Sequence, residues 1–309
     1  MSSHAAAVRR TGVLGALAVL WRFSRPHTLI GTFVSATGLY LIAVSELPGS
    51  GLHHLLWVLV AGTGVNIAIV GINQLTDIEI DRVNKPHLPL AAGDLSAEAA
   101  RRIVAVAAAV PVLLGLTQGA LETGAVAAAL LVGCAYSVPP VRLKRFPLAA
   151  ALCISGVRSA IVNLGMYGHF ALAFGGALTI APSVWALTMF VLPFSFAIAV
   201  LKDVPDLEGD RRYRIGTFTV RLGPRRAARL GVGALVAAYA GMIVLGPVLV
   251  DDAQLAVLVA GHAAALLVLL AWARRADPGD PVAFGAFYMR VWGLFFLEYA
   301  LVPVAVLAG

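Results

Sequence analysis

The sequence predicts an all-α, polytopic membrane protein with nine transmembrane helices, and three observations predict it. The 309 residues are 60% hydrophobic and only 13% charged, with a mean hydropathy of +0.88, which excludes an ordinary soluble domain. Nine apolar runs approach the length of about 20 residues that a helix needs to cross a bilayer. None of them alternates apolar with polar residues as the shorter strands of a membrane barrel would.

The elements come in this order. Val13–Leu20 is apolar and preceded by Arg9 and Arg10, but it is too short to span and has no small-residue cleavage site after it. With Trp21, Arg22 and Arg25 at its end, residues 1–27 read as an N-terminal segment lying in the membrane interface. The spans are expected at 28–46, 53–75, 101–119, 121–138, 147–169, 178–201, 229–250, 253–273 and 284–307. They leave no space for a soluble domain, so 1–309 is expected to be a single membrane domain.

The basic residues orient it. Arg22 and Arg25 precede the first span, Arg82, Lys85, Arg101 and Arg102 come after the second, and Arg142, Lys144 and Arg145 after the fourth. Lys202 and seven arginines come after the sixth, and Arg274 and Arg275 after the eighth. The alternate connections Pro48–Leu52, Gln118–Thr123, Phe170–Leu178 and Asp251–Gln254 carry no Lys or Arg. The positive-inside rule then puts the N-terminus in the cytoplasm, in an inner or plasma membrane. The net charge of +7 is mostly this topology. Nucleic-acid binding would need a basic patch on a soluble fold. Cys134 and Cys153 both lie in apolar runs and read as buried small residues.

Seven of the 16 acids fall in two short stretches at the ends of the second and sixth spans: Asn73-Gln-Leu-Thr-Asp77-Ile-Glu-Ile-Asp81-Arg82-Val-Asn84-Lys85-Pro86 and Lys202-Asp203-Val-Pro-Asp206-Leu-Glu-Gly-Asp210-Arg211. Their similar placement suggests two related four-span halves plus a ninth helix. Both stretches are expected on the cytoplasmic face. Asn73, Asp77 and Asp81 are spaced i, i+4, i+8, within about 80° of each other on one helix face. Asp203, Asp206 and Asp210 share a face at i, i+3, i+7, with Pro205 and Gly209 predicting a kinked helix end. Carboxylates at a membrane edge are costly without a cation or a function. Two acid clusters flanked by Arg and Lys suit Mg²⁺ ions that hold a polyphosphate. The metal ligands are therefore expected among Asn73, Asp77, Asp81, Asp203, Asp206 and Asp210, with Asp77, Asp81, Asp203 and Asp210 catalytic.

Tyr136-Ser-Val-Pro139-Pro140-Val-Arg142-Leu-Lys144-Arg145 is a third polar block. Arg142 can grip phosphate as a fork and Lys144 as a point charge, while Arg145 reads as a membrane anchor. Arg158 and Arg290 are the basic residues inside spans, where an Arg faces the bundle interior or a wet cavity. Ser155, Arg158, Asn163 and Tyr167 give the fifth span a polar face, expected to line the site. Glu298 is a candidate partner for Arg290 or for Arg158. His4, His53, His54, His169 and His262 are scattered and carry no assignment.

With these residues in view, the chain resembles the UbiA superfamily of intramembrane prenyltransferases over nearly its whole length, and its homogentisate prenyltransferase branch more closely. The resembling stretches are Ser24–Thr32, Asn73–Pro86 with Leu88-Pro89, Val157–Asn163, Lys202–Asp210, and Phe287–Arg290 with Glu298-Tyr299. The Tyr136–Lys144 block departs: its paired prolines look more like those of chlorophyll and archaeal-lipid prenyltransferases. The resemblance implies nine helices around a central cavity, Mg²⁺, a prenyl diphosphate, and transfer of the prenyl group to a small aromatic acceptor with release of diphosphate. A homogentisate-like acid is the first expectation for that acceptor. It adds Arg25, His27, Arg82, Lys85, Tyr136 and Lys202 to the substrate-binding set of Arg142, Lys144, Arg158, Asn163 and Tyr167. The rival reading is an intramembrane terpene cyclase with the same metal site. A transporter is disfavoured, because transporter sites lie near the midplane.

Overall fold

The computed structural model describes residues 12–250 and 253–309, and the described residues are helical with no strand. Arg9, Arg10, His4 and the start of the Asp251–Gln254 connection lie outside them. Among the described residues fourteen α- or mixed α/π-helices succeed one another, with one short 3₁₀ helix at Leu143–Arg145. Nine of them are long and apolar enough to cross a membrane: α2 (Pro26–Glu46), α3 (Leu52–Thr76), α6 (Ala97–Gln118), α7 (Ala120–Ser137), α8 (Pro147–Gly175), α9 (Pro182–Leu201), α12 (Pro224–Leu249), α13 (Leu255–Ala273) and α14 (Pro281–Leu307). The other five are short: α1 (Val13–Phe23), α4 (Ile78–Asn84), α5 (Pro89–Ala92), α10 (Leu207–Arg212) and α11 (Phe218–Leu222).

All nine expected spans are present, but their ends obey capping chemistry rather than hydropathy. Five begin with Pro at the first helical turn, at Pro26, Pro147, Pro182, Pro224 and Pro281. Proline has no N–H to waste there, and its fixed φ suits the turn. Ser96 caps α6 by accepting from the Ala99 N–H, so this helix starts before Arg101 rather than at it. Asp280 caps α14 in the same way, accepting from Val282 and Ala283.

The bundle is organised around α9, the most buried span. It packs against α8, α12 and α14, while α3 packs on α6 and α2 on α14. Small residues permit the close crossings, as is usual between membrane helices. A Cβ on Gly38 of α2 would lie 2.6 Å from the Tyr299 carbonyl oxygen of α14. One on Gly64 of α3 would lie 2.8 Å from the Ala107 carbonyl of α6.

α8 is not a regular α-helix. Val157–Leu164 and Ala171–Gly175 are π-helical, and each wide turn changes the phase of the residues after it. α1 is held by fully buried Phe23, which packs with Leu90 and Ala100, and by Arg22, whose guanidinium lies 2.7 Å from Asp94. The connection between α3 and α6 carries α4 and α5, and that between α9 and α12 carries α10 and α11. α4 and α10 touch, which brings the two acidic stretches together at one end of the bundle.

Candidate active site

The first stretch differs from its spacing. α3 stops at Thr76 and α4 starts at Ile78, with Asp77 between them at φ −121° and ψ 16°. Asn73, Asp77 and Asp81 therefore do not ride one continuous helix: Asp77 is the joint. Its carboxylate collects three donors. Asn73 Nδ2 and Arg142 each donate to it at 2.9 Å, and Lys144 pairs with it as well. Arg142 reaches it from a left-handed backbone conformation, φ 40°. Lys144 is buried, and burial lowers its pKa to about 8 against the pull of Asp77.

The second stretch is the kinked end its Pro and Gly predict. α9 ends at Leu201 and Asp206 precedes α10. Lys202 donates to Asp203 at 2.8 Å and to the Tyr136 hydroxyl at 3.1 Å. Burial by itself would lower the Lys202 pKa, but Asp203 and Tyr136 outweigh it and hold the ammonium charged. Lys85 crosses from the first stretch to pair with Asp206. Asn84 also crosses: its Oδ1 accepts from the Gly209 N–H at 2.8 Å, and its Nδ2 lies 3.5 Å from Asp210 Oδ1.

Five carboxylates, Asp77, Asp81, Asp203, Asp206 and Asp210, are thus gathered with none more than 8% exposed. Three of them have basic partners. Among the described residues Asp81 and Asp210 make no ion pair, and the buried Asp210 Oδ2 has no hydrogen-bond partner. Burial pushes Asp81 up to about 6, with Lys85 and Arg25 opposing it. Burial, with Asp203 and Asp206 beside it, pushes Asp210 up to about 8. Buried acids lacking counter-charge are costly, and a divalent cation relieves that cost. No three acidic, His or Cys side chains among the described residues converge as a ready cage. Lys85, Arg142, Lys144 and Lys202 occupy carboxylate oxygens instead. Mg²⁺ needs no such cage when it takes one or two carboxylates and completes its shell with phosphate oxygens and water. The donor set fits that ion.

A cavity of about 310 Å³ opens beside this cluster, and Asn73, Tyr136 and Lys202 belong to both. Arg25, His27, Arg158, Tyr288 and Trp292 line it too. Arg25, at φ 52°, precedes α2. The Arg158 guanidinium lies 4.6 Å from the Trp292 ring centre and 5.7 Å from that of Phe295. It makes no salt bridge among the described residues. The expected partner Glu298 lies instead 3.1 Å from His262, because His262 on α13 faces it within the buried core. Arg290 is exposed over Trp272, so the Arg290–Glu298 pairing is not formed either. The His27 ring meets Trp292 edge-on at 4.9 Å.

Three expected site residues stand apart from the cavity. Asn163 is buried between helices, accepting from the Tyr299 hydroxyl at 2.6 Å. Tyr167 donates to Glu46 at 3.0 Å. Helical spacing accounts for both: at about 100° per residue, positions five and nine after Arg158 lie about 140° and 180° from it, and the cavity is lined instead by Ile154, Ile161, Gly165 and His169 of the same helix. Arg82 is exposed and paired with Glu79 at 2.5 Å, on the outer side of α4. Asn84, Gly209, Tyr288 and Trp292 carry no role that the sequence pattern alone assigns. The first two lie inside the acidic stretches, which is the one signal available. An aromatic residue in a span carries no mark that distinguishes cavity from lipid.

The model of the UbiA prenyltransferase family matches residues 12–294. Homogentisate phytyltransferase of Synechocystis sp. is 41% identical over 306 residues, covering 94% of this chain and 96% of that protein. Homogentisate solanesyltransferase of Arabidopsis thaliana is 38% identical over 294 residues, covering 92% of this chain and 77% of that protein. Among solved structures, a UbiA homolog from Archaeoglobus fulgidus bound to GPP and Mg²⁺ superposes with a TM-score of 0.61, at 18% identity, over 92% of this chain and 99% of that one. A UbiA homolog from Aeropyrum pernix gives 0.63 at 20% identity, over 92% of this chain and 98% of that one.

Proposed function

The chain belongs to the UbiA prenyltransferase family, and from that premise we propose that it transfers a prenyl group from a prenyl diphosphate to the ring of a small acidic phenol of the homogentisate type. The relatives named for homogentisate transfer support the acceptor class. The observation that carries the reading is the union of an acid cluster in which Asp81 and Asp210 form no ion pair among the described residues with an adjoining, mostly apolar cavity lined by Arg158, which forms no salt bridge among them either.

The diphosphate belongs at the acid cluster. Asp77, Asp81, Asp203, Asp206 and Asp210, with the Asn73 amide oxygen, would hold Mg²⁺ there. Bound Mg²⁺ supplies charge neutralisation that makes diphosphate a better leaving group. Lys85, Arg142, Lys144 and Lys202 stand at the same place to bind phosphate oxygens as negative charge collects on them. The bond between the allylic carbon and the diphosphate oxygen breaks, and its electron pair leaves with the oxygen. A ring carbon of the acceptor forms the new bond, and the displaced ring proton passes to diphosphate or water. The apolar walls keep water from the allylic cation. Arg158, beside Trp292, His27 and Tyr288, is placed to take the acceptor carboxylate. Lys and Arg concentrate at the acid end, which supports a cytoplasmic opening and a cytoplasmic N-terminus.

The test is transfer of label from a prenyl diphosphate by the purified protein, with and without homogentisate and with Mg²⁺ or EDTA. A prenylated aromatic product that requires both is expected. Release of diphosphate with only a cyclised hydrocarbon product would overturn the reading.

A further inference from the structure

The cavity has a second polar end, remote from the acids. Along α3 its lining runs from Asn73 to Trp57, about 24 Å at a helical rise of roughly 1.5 Å per residue. The walls between are mostly apolar, with Val65, Ile69, Val126 and Ile161 among them; Thr28, Thr32 and Asn66 are the uncharged polar exceptions, and Asn66 donates to the Ser24 carbonyl. The lining then turns polar at Gln118, Glu122 and His169. Glu122 Oε1 lies 2.6 Å from His169 Nδ1, and His169 Nε2 lies 3.0 Å from His54 Nδ1. His169 thus spends both ring nitrogens on this chain of contacts. Glu122 Oε2 is buried and has no hydrogen-bond partner among the described residues.

We propose that Glu122, held in place by His169, is a polar floor that limits the length of prenyl tail the cavity accepts. This rests on the reading above, in which the diphosphate sits at the acids and the tail runs along the cavity. Each added isoprenoid unit buries more apolar surface against these walls and is favourable. That gain ends at Glu122. A hydrocarbon end pressed onto Glu122 meets a carboxylate oxygen that already lacks a donor, offers it none, and finds no further apolar wall, which is unfavourable.

The experiment compares geranyl, farnesyl, geranylgeranyl and solanesyl diphosphates at saturating acceptor, using the full chain in detergent. It reads kcat/KM for each tail relative to geranyl. Glu122→Leu, close in volume and apolar, should raise the ratio for the tails that the wild type uses poorly by about tenfold or more, the scale on which an apolar pocket discriminates small changes in hydrocarbon size. Geranyl turnover should not change. Glu122→Gln keeps a polar group but removes the charge, and should shift the ratio the same way by less. It also serves if the Leu variant does not fold. Unchanged ratios in a folded variant overturn the proposal. In that case tails leave sideways into the apolar recess beyond Ala125, Ile161 and Gly165, and Gly165→Leu should depress the long-tail ratio instead. If the wild type transfers none of the four tails, the underlying function fails and the floor with it.

Discussion

The side-chain carbonyl of Asn84 accepts a hydrogen bond from the backbone N–H of Gly209 at 2.8 Å, tying together two acidic stretches that lie 125 residues apart. The Asn84 amide fills the space beside Gly209: a Cβ there would come 2.4 Å from Asn84 Oδ1.

Gly209→Ala should therefore displace the Asn84 amide and break this tie between α4 and α10. Asn84→Ala should lose the same tie, at a cost of about 1–3 kcal/mol for the N–H left unsatisfied. Both variants are expected to lower kcat/KM at least tenfold while the bundle still melts cooperatively. Wild-type kinetics in Gly209→Ala would show that the two stretches need not be locked for activity.

Asp77→Ala and Asp203→Ala are each expected to abolish turnover in a protein that remains folded in detergent. Each removes a carboxylate from a different stretch, and EDTA should reproduce the loss in the wild type. Full activity in either variant, or in EDTA, would sink the metal assignment.

Arg142→Ala and Lys144→Ala should raise the KM for prenyl diphosphate, Arg142→Ala more strongly. Only Arg can grip phosphate bidentately, and Arg142 Nε is buried with no acceptor among the described residues. A lost contact of about 1.4 kcal/mol corresponds to a tenfold change. Both residues also hold Asp77, so titration with Mg²⁺ should be run alongside. If the Mg²⁺ requirement moves and the KM for diphosphate does not, their task is to orient Asp77.

Arg158→Leu should raise the KM for an acidic aromatic acceptor and leave an acceptor without the carboxylate little affected. The guanidinium rests on Trp292 and Phe295 rather than on an acid, so a substrate carboxylate is the counter-charge available to it. Equal losses with both acceptors would assign Arg158 to the diphosphate.

A helix crossing can be tested separately from chemistry. Gly38→Val places side-chain atoms against the Tyr299 carbonyl, 2.6 Å from the first of them. The expected result is a lower melting temperature in detergent, since backbone cannot move aside as a flexible side chain can. An unchanged melting temperature would show that α2 and α14 slide apart freely.

By itself the sequence determined the nine spans, their order, and the two stretches that hold most of the site. These are local properties: hydropathy accumulates along a run, and an acid at its end is costly wherever the helix packs. Local pattern also placed Pro205 and Gly209 at a kinked end. Only the tertiary structure decided which residues meet. Lys85 finds Asp206 across 121 residues, Arg142 finds Asp77 across 65, and Tyr299 takes Asn163 across 136. Those choices depend on the order of helices around the bundle, which periodicity does not encode. They depend also on phase, and phase along α8 is reset by π-helical turns that the residue spacing does not announce. Along α8, Arg158 faces the cavity while Asn163 and Tyr167, five and nine residues on, do not. Glu298 went to His262 for the corresponding reason: in a low-dielectric interior a charge is held by the polar group that packing brings within reach, whatever its distance along the chain.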